Sequence, residues 1–218
     1  MPNTDPSDKL SDTFDLTSMN LLATAVADTG YGVFRNLLSS SVQEGLIGLM
    51  ADKVAAEELV RAGVGAGGDM QVRGEIRSDS IFWLDADDTA PAAMAWIKGM
   101  DTLSEHFRSQ LFLPLVSYEG HLARYPATGF YKAHLDRHSK TLSREISIIT
   151  YLNEEWQEGD GGQLRLYTDV EKGVGGPFID VLPNAGTVVI FRSGAFWHEV
   201  LPSKKPRLSL TGWLRGRG

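Results

Sequence analysis

Hydrophobic and polar residues alternate along the first half of the chain with the period of amphipathic helices. Three segments carry apolar residues at this helical spacing: 18–28, 41–61 and 91–111. Ser41 and Glu44 have the spacing of a capping box, which predicts that the second helix begins there. Pro91 suits the first turn of the third helix, where its missing N–H leaves no bond unmade. We therefore expect the first half to be mainly helical.

The second half changes to short β-rich runs separated by turns. Eight such runs occur: 117–125, 128–135, 144–152, 162–168, 178–182, 187–191, 196–201 and 206–214. This order of elements predicts an α+β fold, in which a double-stranded β-helix (a cupin-like jelly roll) of antiparallel strands is braced by N-terminal helices. The predicted organisation is a disordered tail at 1–14 and a single domain at 15–218, with helical support at 15–113 and the jelly-roll core at 117–214.

A glycine-rich segment, 63–68, interrupts the helical half. Glycine loses more backbone entropy on ordering than any other residue, so regular structure is not expected there. The segment lacks the lysine and the hydroxyl of a phosphate-binding loop, and the prediction is a mobile surface loop. Arg77 and Asp79 follow it and are expected to pair with each other or with a substrate backbone.

Composition narrows the classes of function. The net charge of −7 argues against nucleic acid as a partner. The 218 residues include no cysteine, which excludes disulfides and thiolate metal sites. No apolar run approaches the roughly 18 residues that a membrane span needs, so no membrane partner is expected. The polar, acidic start of the chain lacks the apolar core of a signal peptide, and a cytoplasmic location is expected.

The candidate chemistry begins with His134 and Asp136, which lie in one strand-like run where alternate side chains share a face. His198, at the start of a later run, would complete the set of two histidines and one carboxylate found in non-haem iron oxygenases. Any one of these residues alone is more often an ordinary surface or core residue, so the prediction depends on their combination. The other histidines, expected to be surface or hydrogen-bonded core residues, are His106, His121 and His138.

The last strand-like run adds a second candidate site. Arg207, Thr211 and Trp213 fall on alternate positions and would line one wall if those positions face inward. A buried arginine there would bind a carboxylate of a dicarboxylate cosubstrate through two hydrogen bonds. Tyr151, in another apolar run, could donate a phenolic hydrogen bond to the same carboxylate.

These motifs together resemble the 2-oxoglutarate/iron-dependent prolyl 4-hydroxylase family. The likeness is greatest to the hypoxia-sensing prolyl hydroxylase domain enzymes, in what looks like a compact bacterial form. The residues that carry it are Ile76-Arg77-Ser78-Asp79, Arg124-Tyr125-Pro126, Gly129 to Asp136, Ile149 to Trp156, Gly161 to Arg165, and Trp197-His198-Glu199-Val200 with Arg207 to Trp213. The resemblance extends over about residues 20–214 and implies the same jelly-roll fold.

The resemblance also implies cofactors and residue roles. It implies Fe(II) as cofactor, 2-oxoglutarate and dioxygen as cosubstrates, and ascorbate as a further candidate. The implied iron ligands are His134, Asp136 and His198. The implied 2-oxoglutarate-binding residues are Arg207, Tyr151, Tyr125 and Thr211. The implied substrate-binding residues are Arg77, Asp79, Trp213 and Tyr131.

The activity expected from this resemblance is 4-hydroxylation of a prolyl residue in a protein substrate, with succinate and carbon dioxide as co-products. A translation factor is a candidate target, an oxygen-sensing role is a further expectation, and a monomer is favoured. Two alternatives stay open. One is hydroxylation of a free amino acid or small metabolite, and the other is a non-catalytic jelly-roll binding module. The full set of two histidines, one aspartate and one arginine argues against the second.

Overall fold

The computed structural model describes residues 13–63, 73–85, 88–138 and 141–217. The helices are α1 (Leu16–Asp28), α2 (Ser40–Ala55) and α3 (Pro91–Leu111). The strands are β1 (Tyr31–Phe34), β2 (Val60–Arg61), β3 (Ser80–Leu84), β4 (Leu115–Tyr125), β5 (Tyr131–His134), β6 (Arg144–Tyr151), β7 (Leu164–Tyr167), β8 (Phe178–Val181), β9 (Val188–Arg192), β10 (His198–Val200) and β11 (Arg207–Gly216). Each of the eight predicted runs in the second half overlaps one of the strands β4 to β11, and β4, β9 and β11 extend beyond their runs by one or two residues.

The strands form two antiparallel sheets. The larger has seven strands in the order β1-β9-β6-β11-β4-β3-β2, and the smaller has four in the order β5-β10-β7-β8. Long antiparallel pairing of β11 with both β4 and β6 makes the centre of the larger sheet. The predicted fold of an antiparallel double-sheet core braced by N-terminal helices is confirmed.

Side chains of the larger sheet alternate between two cores. Leu122 and Leu210 face outward, where they pack with Trp96 and the rest of the helical layer. Tyr125 and Tyr151 face inward and pack against the smaller sheet. Because the strand period is two, polar residues at the inward positions of these strands are enclosed between the sheets. The functional site lies in that enclosed space.

Thr13 and Phe14, which the prediction placed in the tail, are both buried. Phe14 is buried and packs against Trp96, with ring centroids 5.9 Å apart. Thr13 is also buried, and its hydroxyl donates to the carbonyl of Ala95 at 2.9 Å. Short polar segments next to a helix give little sequence signal, and contacts of Phe14 and Thr13 with α3 position this one.

The prediction of a capping box at Ser41 and Glu44 is wrong. The N-cap of α2 is Ser39, whose hydroxyl accepts from the amide of Val42, so the helix begins earlier than predicted. The helix also ends at Ala55 instead of continuing to about residue 61. Glu57 has a left-handed φ of 55°, which stops the helix, and the next residues turn into β2.

The described residues bear only in part on two predictions, the mobile glycine-rich loop and the absence of a membrane span. Of the glycine-rich segment 63–68, only Gly63 is described, and the rest lies outside the described residues. None of the helices in the described part of the chain combines the length and the apolar character needed to cross a membrane.

Candidate metal centre

The smaller sheet brings two histidines together. His134 ends β5 and His198 begins β10, and the two residues are direct partners in the antiparallel register. Their Nε2 atoms lie 3.6 Å from Asp136 Oδ1 and 3.5 Å from Asp136 Oδ2, respectively. One ligand atom from each of the three residues lies within 4.8 Å of the others. The predicted triad is therefore assembled at the edge of the space between the sheets.

The side chain of Asp136 is positioned differently from the prediction. The prediction placed it on the same strand as His134, but β5 ends at His134 and Asp136 belongs to the loop that follows. Its carboxylate is buried and accepts a hydrogen bond of 2.7 Å from the hydroxyl of Ser147 on β6. The hydroxyl of Thr141 donates to its backbone carbonyl at 2.7 Å. Contacts with the larger sheet and the loop, not strand pleating, aim this ligand.

Backbone carbonyls fix the orientation of both imidazoles. His134 Nδ1 lies 2.8 Å from the carbonyl of Lys132, and His198 Nδ1 lies 3.1 Å from the carbonyl of Phe196. A carbonyl oxygen can only accept, so each Nδ1 carries the proton and each Nε2 presents a lone pair to the triad. The ring of Tyr131 also stacks on His134, with centroids 3.7 Å apart.

The charges suit a divalent cation. Burial alone would raise the pKa of the Asp136 carboxyl, but His198 and His134 beside it hold that pKa well below its usual range. Burial, reinforced by His134, lowers the pKa of His198 to about 4. At neutral pH the site therefore offers the carboxylate of Asp136 and the neutral imidazole of His198, and the imidazole of His134 lies beside them. That donor set fits a ferrous ion with open coordination positions.

Arg207 lies in the same cavity, which has a volume of about 320 Å³. Only 2% of Arg207 is exposed, and its Nε donates to the carbonyl of Gly162 at 2.9 Å. Its guanidinium carbon lies 5.0 Å from the ring centroid of Tyr151 and 5.2 Å from that of Tyr125. Within the described ranges no Asp or Glu forms an ion pair with it. A buried guanidinium without a counter-ion fits the carboxylate of a dicarboxylate ligand.

Tyr151 stands beside this guanidinium but does not itself line the cavity. Its hydroxyl is buried and has no hydrogen-bond partner among the described residues. Burial raises the pKa of Tyr151 to about 12, so the phenol stays neutral and can donate. Tyr125 and Thr211 do line the cavity, with Thr211 on the β11 position between Arg207 and Trp213.

The predicted substrate-binding residues divide into two groups. Tyr131, Trp213 and Arg77 line the cavity. Asp79 is buried behind them and pairs with Arg77, whose Nε donates to Asp79 Oδ1 at 2.7 Å. The guanidinium carbon of Arg77 in turn lies 4.5 Å from the ring centroid of Tyr131. Asp79 is thus placed to orient Arg77 and not to touch a ligand in the cavity.

The structure adds cavity residues that the sequence analysis did not select. His121 and His138, assigned to the ordinary histidines, both line the cavity. The ring of His121 lies between Trp83 and Trp213, with centroid distances of 4.8 and 5.4 Å, and burial lowers its pKa to about 3. The guanidinium carbon of Arg144 lies 3.4 Å above the Trp213 ring.

A sequence signal for His121 did exist. It occupies the same face of β4 as Tyr125, four positions away, and it pairs directly with Thr211 on β11. Alternation along the predicted strand therefore places it on the inward wall. His106, by contrast, lies on α3, away from this cavity.

Known proteins resemble this chain in sequence and in fold. The family model described as the 2OG-Fe(II) oxygenase superfamily matches residues 120–215. The structure of a Pseudomonas putida prolyl-4-hydroxylase has 37% sequence identity and a TM-score of 0.81, and the match covers 91% of this chain and 99% of that chain.

Two further relatives are more distant or more partial. A prolyl hydroxylase from Trichoplax adhaerens, solved with a hypoxia inducible factor peptide fragment, shares the fold. Its sequence identity is 21% and its TM-score 0.80, over 97% of this chain and 94% of that chain. A prolyl 3-hydroxylase of Xenopus laevis is 38% identical over 78 residues, a match that spans 34% of this chain and 15% of the relative's length.

Proposed function

Since this chain belongs to the 2OG-Fe(II) oxygenase superfamily, among the prolyl 4-hydroxylases, we propose that it hydroxylates the 4-position of a prolyl residue in a protein substrate. It is a dioxygenase with Fe(II) as cofactor and with 2-oxoglutarate and dioxygen as cosubstrates. In the proposed reaction one oxygen atom enters the prolyl ring and the other enters succinate, while 2-oxoglutarate loses carbon dioxide. The observation that supports this most directly is one cavity that contains both the metal triad and a buried Arg207, for which the described part of the chain supplies no counter-ion.

The cosubstrate end of the cavity is assigned to the metal triad and to four residues of the larger sheet. His134, Asp136 and His198 hold the metal, and the bound metal supplies the redox chemistry that inserts oxygen into a C–H bond. Arg207 binds the distal carboxylate of 2-oxoglutarate as a bidentate partner, and Tyr151 donates a further hydrogen bond to it. Tyr125 and Thr211 line the same cavity. They limit the positions that 2-oxoglutarate can take between the metal and Arg207.

The mouth of the cavity is assigned to the prolyl substrate. A pyrrolidine ring is apolar, and Trp213 and Tyr131 are the aromatic cavity residues that we assign to contact it. Arg77, oriented by Asp79, is placed to donate hydrogen bonds to peptide carbonyls at the mouth. Together these groups would orient the target C–H bond and exclude water from the reacting atoms.

The substrate class rests on likeness as well as on geometry. The relative of 37% identity is a prolyl-4-hydroxylase, and the distantly related Trichoplax enzyme was solved with a peptide. A translation factor remains the candidate target, and a cytoplasmic location and an oxygen-sensing role remain parts of the proposal. Ascorbate would serve to keep the iron ferrous.

The test is direct. Purified protein with Fe(II), 2-oxoglutarate and ascorbate should add one oxygen atom to a prolyl residue of a protein in a cell lysate, detected by mass spectrometry of peptides. Fragment spectra and synthetic standards would separate 4-hydroxyproline from 3-hydroxyproline. His198→Ala should remain folded and give neither hydroxyproline nor succinate. Succinate formation driven by a free amino acid or metabolite, with no modified protein, would favour the small-molecule alternative.

A further inference from the structure

Two buried serines form a chain of hydrogen bonds that ends on Asp136. Ser147 lies on β6 and Ser193 directly follows β9, and neither has any exposed surface. The hydroxyl of Ser147 donates to Asp136 Oδ2 at 2.7 Å. The hydroxyls of Ser147 and Ser193 lie 2.8 Å apart. Neither serine figures among the metal ligands or the cosubstrate residues described above.

The number of hydroxyl hydrogens decides which serine donates in each of these hydrogen bonds. A hydroxyl has one hydrogen, and the hydrogen of Ser147 goes to the carboxylate, which can only accept. Ser193 must therefore donate to Ser147, so the chain runs from Ser193 through Ser147 to Asp136 Oδ2. A hydrogen bond to a charged acceptor is strong, and a donor that is itself a hydrogen-bond acceptor is polarised further.

The two carboxylate oxygens are consequently different. Each oxygen lies near one imidazole of the triad, Oδ1 3.6 Å from His134 Nε2 and Oδ2 3.5 Å from His198 Nε2, but among the described residues only Oδ2 accepts a hydrogen bond, from Ser147. Asp136 lies beyond the end of β5, so strand geometry does not fix its side-chain rotation. Among the described residues, Ser147 is the side chain that donates a hydrogen bond to its carboxylate.

We propose that Ser193 and Ser147 are positioning residues that keep Asp136 a monodentate ligand, with Oδ1 on the metal and Oδ2 on Ser147. An octahedral ion with three protein donors keeps three positions open, which are the two needed to chelate a 2-oxo acid and one for dioxygen. A bidentate aspartate would occupy one of these three. The serine chain therefore preserves the position that the oxygen chemistry requires.

The backbone of Ser193 supports the same arrangement. Its carbonyl accepts from the amide of Arg137 at 3.1 Å, which holds the residue immediately after Asp136. Its own amide donates to the carbonyl of Glu145 on β6 at 3.0 Å. Ser193 also begins the segment that leads to His198. One residue thus joins the chain segments of two metal ligands, by its backbone and by its hydroxyl.

The experiment uses Mn²⁺ alone as the probe and needs no prolyl substrate, so it can fail independently of the proposed function. Oxygen-17 relaxation of water counts the water molecules bound to protein-held Mn²⁺. Wild-type protein should show three, and Ser147→Ala should show two because the released Oδ2 turns to the metal. Ser104→Ala is the matched control: the hydroxyl of this buried serine donates within α3, to the carbonyl of Met100, and the variant should keep three waters.

A second readout separates positioning from a general loss of structure. Ser147→Ala should bind Mn²⁺ about 10-fold to 100-fold more weakly than the wild type, as changes behind metal ligands typically do, while Ser104→Ala should match the wild type. Three metal-bound waters in Ser147→Ala would overturn the proposal whatever its affinity. If Ser147→Ala fails to fold, a crystal structure of the Mn²⁺-loaded wild type decides. Oδ1 alone on the metal supports the proposal, and both oxygens on the metal overturn it.

Discussion

Arg207 is the single residue whose removal should affect the cosubstrate most selectively. We expect Arg207→Ala to weaken 2-oxoglutarate binding by about 2–5 kcal/mol, because one partner of a buried charge pair is lost. Arg207→Lys should recover only part of this, since one ammonium cannot reproduce the planar fork. The KM for 2-oxoglutarate and the Kd by calorimetry measure both. Arg165→Ala is the control, because Arg165 pairs with Asp180 on the outer part of the smaller sheet. Equal cosubstrate dependence in all variants would place the carboxylate elsewhere.

The lowered pKa of His121 predicts that the free energy of unfolding depends on pH. Its pKa is about 3 in the folded protein, lowered by burial, against an ordinary value of about 6.5 in the unfolded chain. As the pH falls below about 6.5, the unfolded chain binds a proton that the folded protein does not, so the free energy of unfolding decreases. Between about pH 7 and pH 5 the loss from this residue should be about 2 kcal/mol.

Urea denaturation of metal-free wild type and His121→Phe at these two pH values tests this. The variant should lose about 2 kcal/mol less than the wild type on acidification. His198, whose pKa is also lowered by burial, contributes to both proteins and cancels in the comparison. Identical pH slopes would mean that the folded protein does not lower the pKa of His121.

Residue identities in the metal site were predictable, whereas the contacts that aim them were not. His134, His198 and Arg207 have chemistry that a short motif reveals, because few other residue types bind a metal or a carboxylate in this way. Ser147 has no such signature. Its role arises only because β6 brings it beneath a ligand that lies outside the strand pattern.

At the scale of elements, the contact between α3 and the larger sheet depends on two glycines. The hydroxyl of Tyr118 accepts a 2.8 Å hydrogen bond from Trp96 Nε1 on α3. A Cβ placed on Gly120 or on Gly212 would collide with that buried hydroxyl. These strand glycines therefore make room for the side chain that joins sheet and helix.

We expect Gly212→Ala to lower the free energy of unfolding by about 1–3 kcal/mol, because the added methyl group overpacks the Tyr118 site. Gly48→Ala is the matched control. Gly48 lies within α2 with open space around its Cα, so an alanine there should raise stability by about 0.5–1 kcal/mol. Chemical denaturation measures both. A neutral Gly212→Ala would show that the Tyr118 ring can move aside at little cost.

Element boundaries were predictable where one local rule decides them. The third helix begins at the predicted Pro91 and ends at the predicted residue 111, since proline fits a first turn and the apolar period is long. The end of α2 was missed because its apolar pattern continues past Ala55, while a left-handed residue and pairing of β2 with β3 turn the chain. Pairing with a distant strand is invisible to a local pattern.

At the scale of the whole molecule, the site connects the two sheets. His134 and His198 belong to the smaller sheet. Asp136 is tied to β6 of the larger sheet through Ser147, and Arg207 lies on β11 of the larger sheet. A metal on the triad and a dicarboxylate between the metal and Arg207 would therefore bridge the sheets. Such ligands bind the folded chain and not the unfolded one.

The two ligands should raise the Tm of thermal unfolding in two separate steps, first the metal and then 2-oxoglutarate. At about 100 times its Kd, a ligand that binds only the folded state adds about 2.7 kcal/mol, which corresponds to a Tm rise of about 5–10 °C for a chain of this size. Mn²⁺ alone should give one rise, and 2-oxoglutarate with Mn²⁺ a second. His198→Ala should lose both rises, because the cosubstrate needs the metal as well as Arg207. Arg207→Ala should keep the first and lose most of the second. A 2-oxoglutarate rise of full size in His198→Ala would show that the acid binds without the metal and does not bridge the sheets.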